Sequence, residues 1–540
     1  MGRFVAGSGP RFNMASRFLL CAVVVASVAK AGWQPLGPFG GSAAIVLVDR
    51  LHRDTLLAAT SNAQIFRSED DGDSWSPVPF PGQFRATLHA FAVDHQNPGV
   101  YFVGLSSNAP EYSGIMRTSD SGLTWERIPD PKLRAVWSIA IWPRDSRVIA
   151  AGTEDGLLLT RDGGETWKRI TTWDDAELKP VVSVTFDPAD SKIMYIGTPH
   201  LAWMTADGGE IWQSIHDGML DDSDVFTILV DERSSTRVFA ATCGGIYRSL
   251  DGGARWTKLP EAKGASFRTY HIAQNPVQPN VLLAGTALGL VKSVDAGKTW
   301  KRLTAQSTRW ITFDPARPNR IFVATDEEGL FRSDDAGESL QAINQGFSNR
   351  HFAALATVEN ELYVSTLNGS GISILRRSAS EPQWDEVSGL ALQSIQSATA
   401  AFAKPIKGIP RPALDDLWIH DAVTAEDGEL LAATSRGLAK SKDAGLTWRL
   451  VPGALDGTTV SALCSHPTRA GVLFASLFGG VFRSLDYGRT WTSLIVGGEH
   501  PNDFIALLVQ PEHPDWLFAL SRNHGVYAIV LSPESWSSPQ

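Results

Sequence analysis

One eight-residue pattern, [Ser/Thr]-x-Asp-x-Gly-x-x-Trp, returns along the chain and leaves little freedom in how it can fold. Full copies run from Ser68 to Trp75, Thr118 to Trp125, Thr160 to Trp167, Thr205 to Trp212, Ser249 to Trp256, Ser293 to Trp300, Ser441 to Trp448 and Ser484 to Trp491. Ser333 to Leu340 keeps the turn but has Leu in place of Trp. The repeat aspartates are Asp70, Asp120, Asp162, Asp207, Asp251, Asp295, Asp335, Asp443 and Asp486, with successive gaps of 50, 42, 45, 44, 44, 40, 108 and 43. A period near 43 signals a chain of stacked supersecondary units. The gap of 108 conceals a degenerate copy around Gly371-Ile372-Ser373-Ile374-Leu375, with Trp384 as the relic of its end. A last copy, Gly525-Val526-Tyr527-Ala528-Ile529-Val530, has no box, so the sequence holds about eleven repeats.

Each repeat has one grammar. Val182-Ser183-Val184-Thr185-Phe186 reads as a strand, Asp187-Pro188 opens a turn, and Ile193-Met194-Tyr195-Ile196 reads as a second strand. A third strand leads into the box, and a fourth begins at its Trp. Four short strands per 43 residues is a β-propeller blade. The expected fold is therefore all-β, a propeller of about eleven four-stranded blades, as one large ring or two smaller ones. Six and five is one such division, with the break near 341–415. That stretch runs into a Pro-rich insertion, about 398–416. The box itself reads as structural. Its Asp and hydroxyl residues accept backbone N–H groups in a tight turn, and its Gly supplies positive φ. Trp33-Gln34-Pro35-Leu36 looks like a fourth strand standing alone, and the last repeat lacks that strand. The N-terminal segment is thus expected to complete the final blade and remove an exposed edge.

Composition excludes other classes. Eight of the 18 Trp are box residues, which accounts for a Trp count above the 8 Tyr. The net charge of −10 gives no general basic footprint, so neither nucleic acid nor an anionic membrane is an expected partner. Three Cys cannot make a disulfide scaffold or a four-Cys zinc site, and no metal or cofactor is implied. Residues 1–31 carry Arg3, Arg11, Arg17 and Lys30, an apolar run from Phe18 to Ala29, and Ala29-Lys30-Ala31. They read as a secretory signal peptide cleaved near Ala31, with Met14 as an alternative start. The protein is expected to be exported, with Cys243 and Cys464 left as its only thiols.

The repeated box resembles that of the Asp-box propellers, also called bacterial neuraminidase repeat proteins, over nearly all of 32–540. That group includes sialidases, xyloglucan-active endoglucanases, sortilin-type receptor ectodomains and photosystem II assembly-factor-type propellers. The opening Trp33 and Gly37-Pro38-Phe39-Gly40-Gly41 are most similar to the bacterial sortilin-like and assembly-factor-like members. The resemblance implies the propeller fold. It does not choose among functions, because this fold hosts several.

In a propeller, the connections between blades share one face with the loops joining second and third strands, and loops carry function. Those loops offer Arg85 and His89, Arg134 and Trp137, Trp173 with Asp174 and Asp175, and Asp221, Asp222 and Asp224. They also offer Arg268, Tyr270 and His271, Arg309 and Trp310, Arg350 and His351, Asp415 and Asp416, and, from the long loop 106–113, Glu111 and Tyr112. Arg forks hold carboxylates and aromatic rings anchor side chains or sugars. The candidate ligand-binding set is accordingly Arg85, Arg134, Trp137, Trp173, Arg268, Tyr270, Arg309, Trp310 and Arg350. The leading expectation is an exported, non-catalytic propeller that binds a protein or a polysaccharide. The alternative is a secreted glycoside hydrolase acting on a β-glucan such as xyloglucan. Asp174, Asp175, Asp221, Asp222 and Asp224 are its candidate carboxylates, since that chemistry needs two flanking the scissile bond. A third possibility is a purely structural role in the cell envelope. The sialidase reading is set aside: Glu126-Arg127-Ile128-Pro129 lacks the required aromatic and follows a box. Lys292 to Thr299 ends like a phosphate loop but lies in a hairpin and lacks its first Gly.

Overall fold

The alternation of apolar and small residues in runs such as Leu56–Ala59 and Ile149–Thr153 suits strands covered on both faces, and these strands are buried along their whole length. The computed structural model of the chain describes residues 33–52, 54–171, 176–220, 223–262, 268–358, 361–368, 371–378, 383–387, 419–424, 429–443, 447–453, 455–494 and 503–531. They form eleven four-stranded sheets and one two-stranded sheet. The segment read as a signal peptide, the Pro-rich insertion, and Trp173, Asp174, Asp175, Asp221, Asp222, Asp415 and Asp416 lie outside the described residues.

The chain divides into two compact units, residues 37–350 and residues 1–36 with 351–540. The first contains seven blades among the described residues: blade 1 (45–78), blade 2 (87–127), blade 3 (136–169), blade 4 (183–214), blade 5 (225–258), blade 6 (269–302) and blade 7 (308–342). From blade 2 to blade 7 the inner strands pack neighbour to neighbour, and that of blade 7 packs on that of blade 1. An apolar cluster fills every interface between blades. Leu57, Leu88 and Tyr101 lie between blades 1 and 2, and Phe66, Phe322 and Phe347 lie where blade 7 meets blade 1. Each fully buried Phe or Leu contributes roughly 1.5–3 kcal/mol.

The second unit contains four blades: blade 8 (351–386), blade 9 (419–451), blade 10 (460–493) and blade 11 (504–530). The fourth strand of blade 11 is Gln34–Gly37, hydrogen-bonded beside the strand Gly525–Val530. Trp33 stacks against Phe504 with ring centroids 5.1 Å apart, and the Trp384 indole N–H donates to Leu36 O at 2.8 Å. The eleven blades therefore divide as seven and four rather than as six and five.

The box turn is a closed hydrogen-bond ring. In blade 1, Ser68 Oγ donates to Asp70 Oδ1 (2.7 Å) and accepts the Gly72 N–H (2.8 Å). Asp70 in turn accepts the Ser74 N–H (2.9 Å) and hydroxyl (2.6 Å). Gly72 has φ +91°, and a Cβ there would fall 2.6 Å from Ile343 Cδ1. Asp120, Asp295 and Asp443 make the same bonds, and their carboxyls are held down at about 2, first by the hydroxyls of Thr124, Thr299 and Thr447 respectively. Three of the box Trp residues reach backwards. The indole N–H groups of Trp75, Trp212 and Trp256 donate to Ile343 O, Ile170 O and Ile215 O of the preceding blade at 2.7, 2.7 and 2.6 Å. In three others the indole stays in its own turn: the N–H groups of Trp125, Trp167 and Trp491 donate to Gly122 O, Gly164 O and Gly488 O at 3.1 Å. In blades 5 and 7 a cation just before the box reaches forwards. Arg248 donates to Ala296 O at 3.1 Å and Arg332 to Asp71 O at 2.9 Å, each in the next blade's box.

Candidate functional site: the bulged mouth of the seven-bladed unit

The inner strand of most blades carries one extra residue near its start. In blade 2 the register steps from Leu88↔Leu105 to Ala90↔Gly104, so His89 has no ladder partner. The same step leaves out Trp137 in blade 3, Phe226 in blade 5, Tyr270 in blade 6 and Arg309 in blade 7. Such a bulge re-aims side chains without ending the strand. The bulged residues sit at one end of the inner strands, opposite the end where Asp49, Asp94 and Asp314 cap the turns into the second strands. A cavity of about 530 Å³ lies between, lined by all seven inner strands. None of the five bulged residues lines that cavity, whose lining runs from His271 and Trp310 to Arg50, His95, Glu232 and Arg233 at the turn end. The bulges form a collar at the opposite end of the inner strands, the mouth of the unit on that side.

The collar is continuous in part. His89 packs on Trp137 with centroids 4.1 Å apart, and its Nε2 lies 2.7 Å from Ser106 Oγ. Phe226 and Tyr270 are 6.1 Å apart. The Arg309 guanidinium lies over the Tyr270 ring at 4.1 Å, and Arg268 lies 4.8 Å from the Phe226 ring and 5.9 Å from that of Tyr270. These are cation–π distances. One residue deeper, His271 stacks on Trp310 at 4.0 Å, and the Trp310 indole N–H donates to Thr312 Oγ1 at 3.2 Å. Burial pushes His89 down to about 4 and His271 down to about 3, so both imidazoles are neutral at ordinary pH. Arg309 Nε donates to Asp326 Oδ1 (2.6 Å), and Ser307 Oγ donates to the other Asp326 oxygen (2.6 Å).

The sequence-derived set is partly assembled here. Arg268, Tyr270 and Arg309 meet, with Trp310 beneath them. Trp137 joins His89. Arg85 donates to the Tyr112 hydroxyl and lies 5.2 Å from its ring, which uses the long loop named from sequence. Arg134 is an exposed residue of the connection into blade 3. Arg350 stands beside Gly40, next to the short parallel pairing of Gly40–Gly41 with Ser348–Asn349. Asp224 is half-buried, and its carbonyl accepts the Cys243 N–H at 3.1 Å. Sequence reasoning missed Phe226, Ser307 and Asp326. The available signal for Phe226 was the break in strand alternation at its bulge. In the four-bladed unit the bulged residues are Ala353, His420, Ser461 and Ile505, with no Trp, Tyr, Phe or Arg. No group of three or more metal-ligating side chains occurs among the described residues, and no helix among them is long and apolar enough to cross a membrane. Cys243 and Cys464 are free thiols.

Comparison with known proteins follows the fold. The sequence profile of the Sortilin-Vps10 family (Sortilin, neurotensin receptor 3) matches residues 113–220. Xyloglucanase Xgh74A of Acetivibrio thermocellus is 26% identical over 155 residues, a stretch covering 25% of this chain and 18% of the xyloglucanase. Among solved structures, the GH74 xyloglucanase of Xanthomonas campestris is similar at a TM-score of 0.63 and 17% identity, covering 92% of this chain and 99% of that one. The GH74 enzyme of Niastella koreensis is similar at 0.64 and 14%, with the same coverage. At such identities the likeness is one of fold. The chain is an all-β protein of four-stranded propeller blades, an architecture shared with these GH74 xyloglucanases.

Proposed function

We propose that this protein is exported and acts on a β-glucan of the xyloglucan type, taken up at the collar of the seven-bladed unit. The observation that carries the reading is the bulge series. Five successive or neighbouring blades place His89, Trp137, Phe226, Tyr270 and Arg309 at one mouth, and the four-bladed unit has no comparable set. Rings and guanidinium edges together suit a sugar chain, whose faces stack and whose hydroxyls accept hydrogen bonds. The partial match to a xyloglucanase supports the choice of polymer. Hydrolysis would fall to carboxylates on the connections entering blades 4 and 5: Asp174 and Asp175, then Asp221, Asp222 and Asp224. One would protonate the leaving oxygen while the other acts as base or nucleophile.

The second reading is a non-catalytic binder of a polymer or protein. The pairing of Asp326 with Arg309 and Ser307 favours it, because that carboxylate of the collar is committed to holding an arginine. Release of reducing ends from xyloglucan by the purified exported protein separates the two. Activity abolished by Asp174→Asn or Asp221→Asn, with binding retained, supports hydrolysis. Binding without any release of reducing ends, lost in Trp137→Ala or Tyr270→Ala, supports the binder. Neither activity nor binding would remove the glucan reading.

A further inference from the structure

The wall made by blades 5–7 differs from a surface that stacks on neutral sugar. Guanidinium groups already lie against its rings: Arg309 on Tyr270 and Arg268 against Phe226. What the wall presents outward is therefore guanidinium N–H. Arg309 is fixed on two sides before any ligand arrives. Its face rests on Tyr270 and its Nε is bound to Asp326, which Ser307 holds in turn. Its terminal amino groups bond no protein acceptor among the described residues, and the side chain is 42% exposed. Immobilising an arginine side chain costs up to about 2 kcal/mol of rotamer entropy, and here the protein has already met that cost, which favours ligand binding.

Charge gives the ligand its class. Two guanidiniums lie over the Tyr270 ring, and the carboxylate of Asp326 is paired with that of Arg309. Glu327 and Glu328 follow on the same hairpin. A planar fork with free terminal N–H groups matches a carboxylate in two parallel hydrogen bonds, a geometry that a hydroxyl cannot fill. We propose that Arg309, with Arg268 beside it and Tyr270 and Asp326 as its supports, forms a carboxylate subsite, so that the glycan taken at this mouth carries uronate groups. This rests on the reading of the mouth as a glycan site.

The test uses two probes with one backbone: cellohexaose and the same oligomer oxidised to glucuronate at C6. Affinities are measured by calorimetry on the full-length exported protein at low and at 0.5 M salt. The oxidised oligomer should bind about tenfold more tightly, the scale of one charge-assisted hydrogen bond. That advantage should shrink in high salt, disappear in Arg309→Gln and survive in part in Arg309→Lys, which keeps the charge but loses the fork. Equal affinity for both oligomers, an advantage untouched by Arg309→Gln, or failure of the oxidised oligomer to bind would each overturn the proposal. Circular dichroism confirms that the variants are folded. Reducing-end release from neutral xyloglucan by the same preparation judges the glucan reading separately, since that readout needs no uronate.

Discussion

The two units are built from the same blade but fasten their ends by different means. In the four-bladed unit, blade 11 takes its fourth strand from Gln34–Gly37, so main-chain hydrogen bonds join two parts of the chain nearly 500 positions apart. In the seven-bladed unit every four-stranded blade is contiguous in sequence, and closure combines side chains with one short parallel pairing. Arg317 donates to both oxygens of Asp71 at 2.6 Å and to Asp314 at 2.5 Å, and Arg320 adds a bond to Asp71 at 2.5 Å. Arg332 reaches Asp71 O and Asp73 at 2.9 Å each. Phe347 packs on Phe66 and Trp75, and Gly40–Gly41 pairs in parallel with Ser348–Asn349. The lesson is that strand exchange is one solution to an open edge, and a charged clasp over an apolar plug is another.

The largest effect should come from removing the borrowed strand. A chain beginning at Gly37 loses the Trp33–Phe504 contact and the acceptor of the Trp384 indole. Loss of the Trp33 ring alone costs about 3–5 kcal/mol. Hydrogen exchange should then collapse in 504–530 while 45–342 keeps its protection. Equal loss in both would mean that the units do not fold separately.

Next comes the clasp. Arg317→Gln with Arg320→Gln leaves Asp71, 18% exposed, without its cations. Burial alone would raise the Asp71 carboxyl, but the bonds and charge of Arg317 and then Arg320 hold it below the usual range. A depressed carboxylate contributes stability above its unfolded pKa and loses it as pH falls through the folded value. The double variant should lose about 2 kcal/mol at neutral pH, seen as a lower denaturation midpoint for the seven-bladed unit, and its stability should vary less below pH 4.

Acid provides a third contrast. His89 and His271 are held neutral at about 4 and about 3 by burial, so below their unfolded value near 6.5 the unfolded chain binds the extra protons. Stability of the seven-bladed unit should therefore fall steadily as pH drops from about 6.5 to about 4. In the four-bladed unit, His466 stands where other blades place Asp, and its Nδ1 accepts the N–H groups of Thr468 and Arg469 at 3.2 and 3.1 Å. Burial lowers it as well, so that unit should show a smaller drop in the same window, removed by His466→Asp. Urea denaturation across pH, followed by exchange in each unit, measures both. The smallest effect is expected from Leu340→Trp, which restores the missing box Trp of blade 7 at its seam with blade 6. A gain of about 0.5 kcal/mol in the denaturation midpoint would fit a half-buried site with room to adjust.

Blade architecture was legible because each box is a local hydrogen-bond ring with fixed residue types, and because Trp33 to Leu36 had the look of a strand without a sheet. The seven-and-four division was not. It depends on Asp71 meeting Arg317, 246 positions away, and nothing in either local sequence announces the other. The collar was half legible. Arg268, Tyr270 and Arg309 could be named as loop residues, but their mutual stacking depends on bulges, and a bulge has no consensus residue. The cations of Arg248-Ser249 and Arg332-Ser333 find their partners in the next repeat, beyond any local reading, whereas Arg67 and Arg117 pair with Glu69 and Glu126 of their own blades.

The unpaired bulge residue has one more implication. It makes no ladder pair, so the sheet places few demands on its identity, and five blades fill it with five different side chains. Each of these five blades thereby offers a single interchangeable position on an otherwise fixed frame. Exchanging those residues between blades, or between proteins of this architecture, should rewrite what the mouth accepts while leaving the frame's melting behaviour almost untouched.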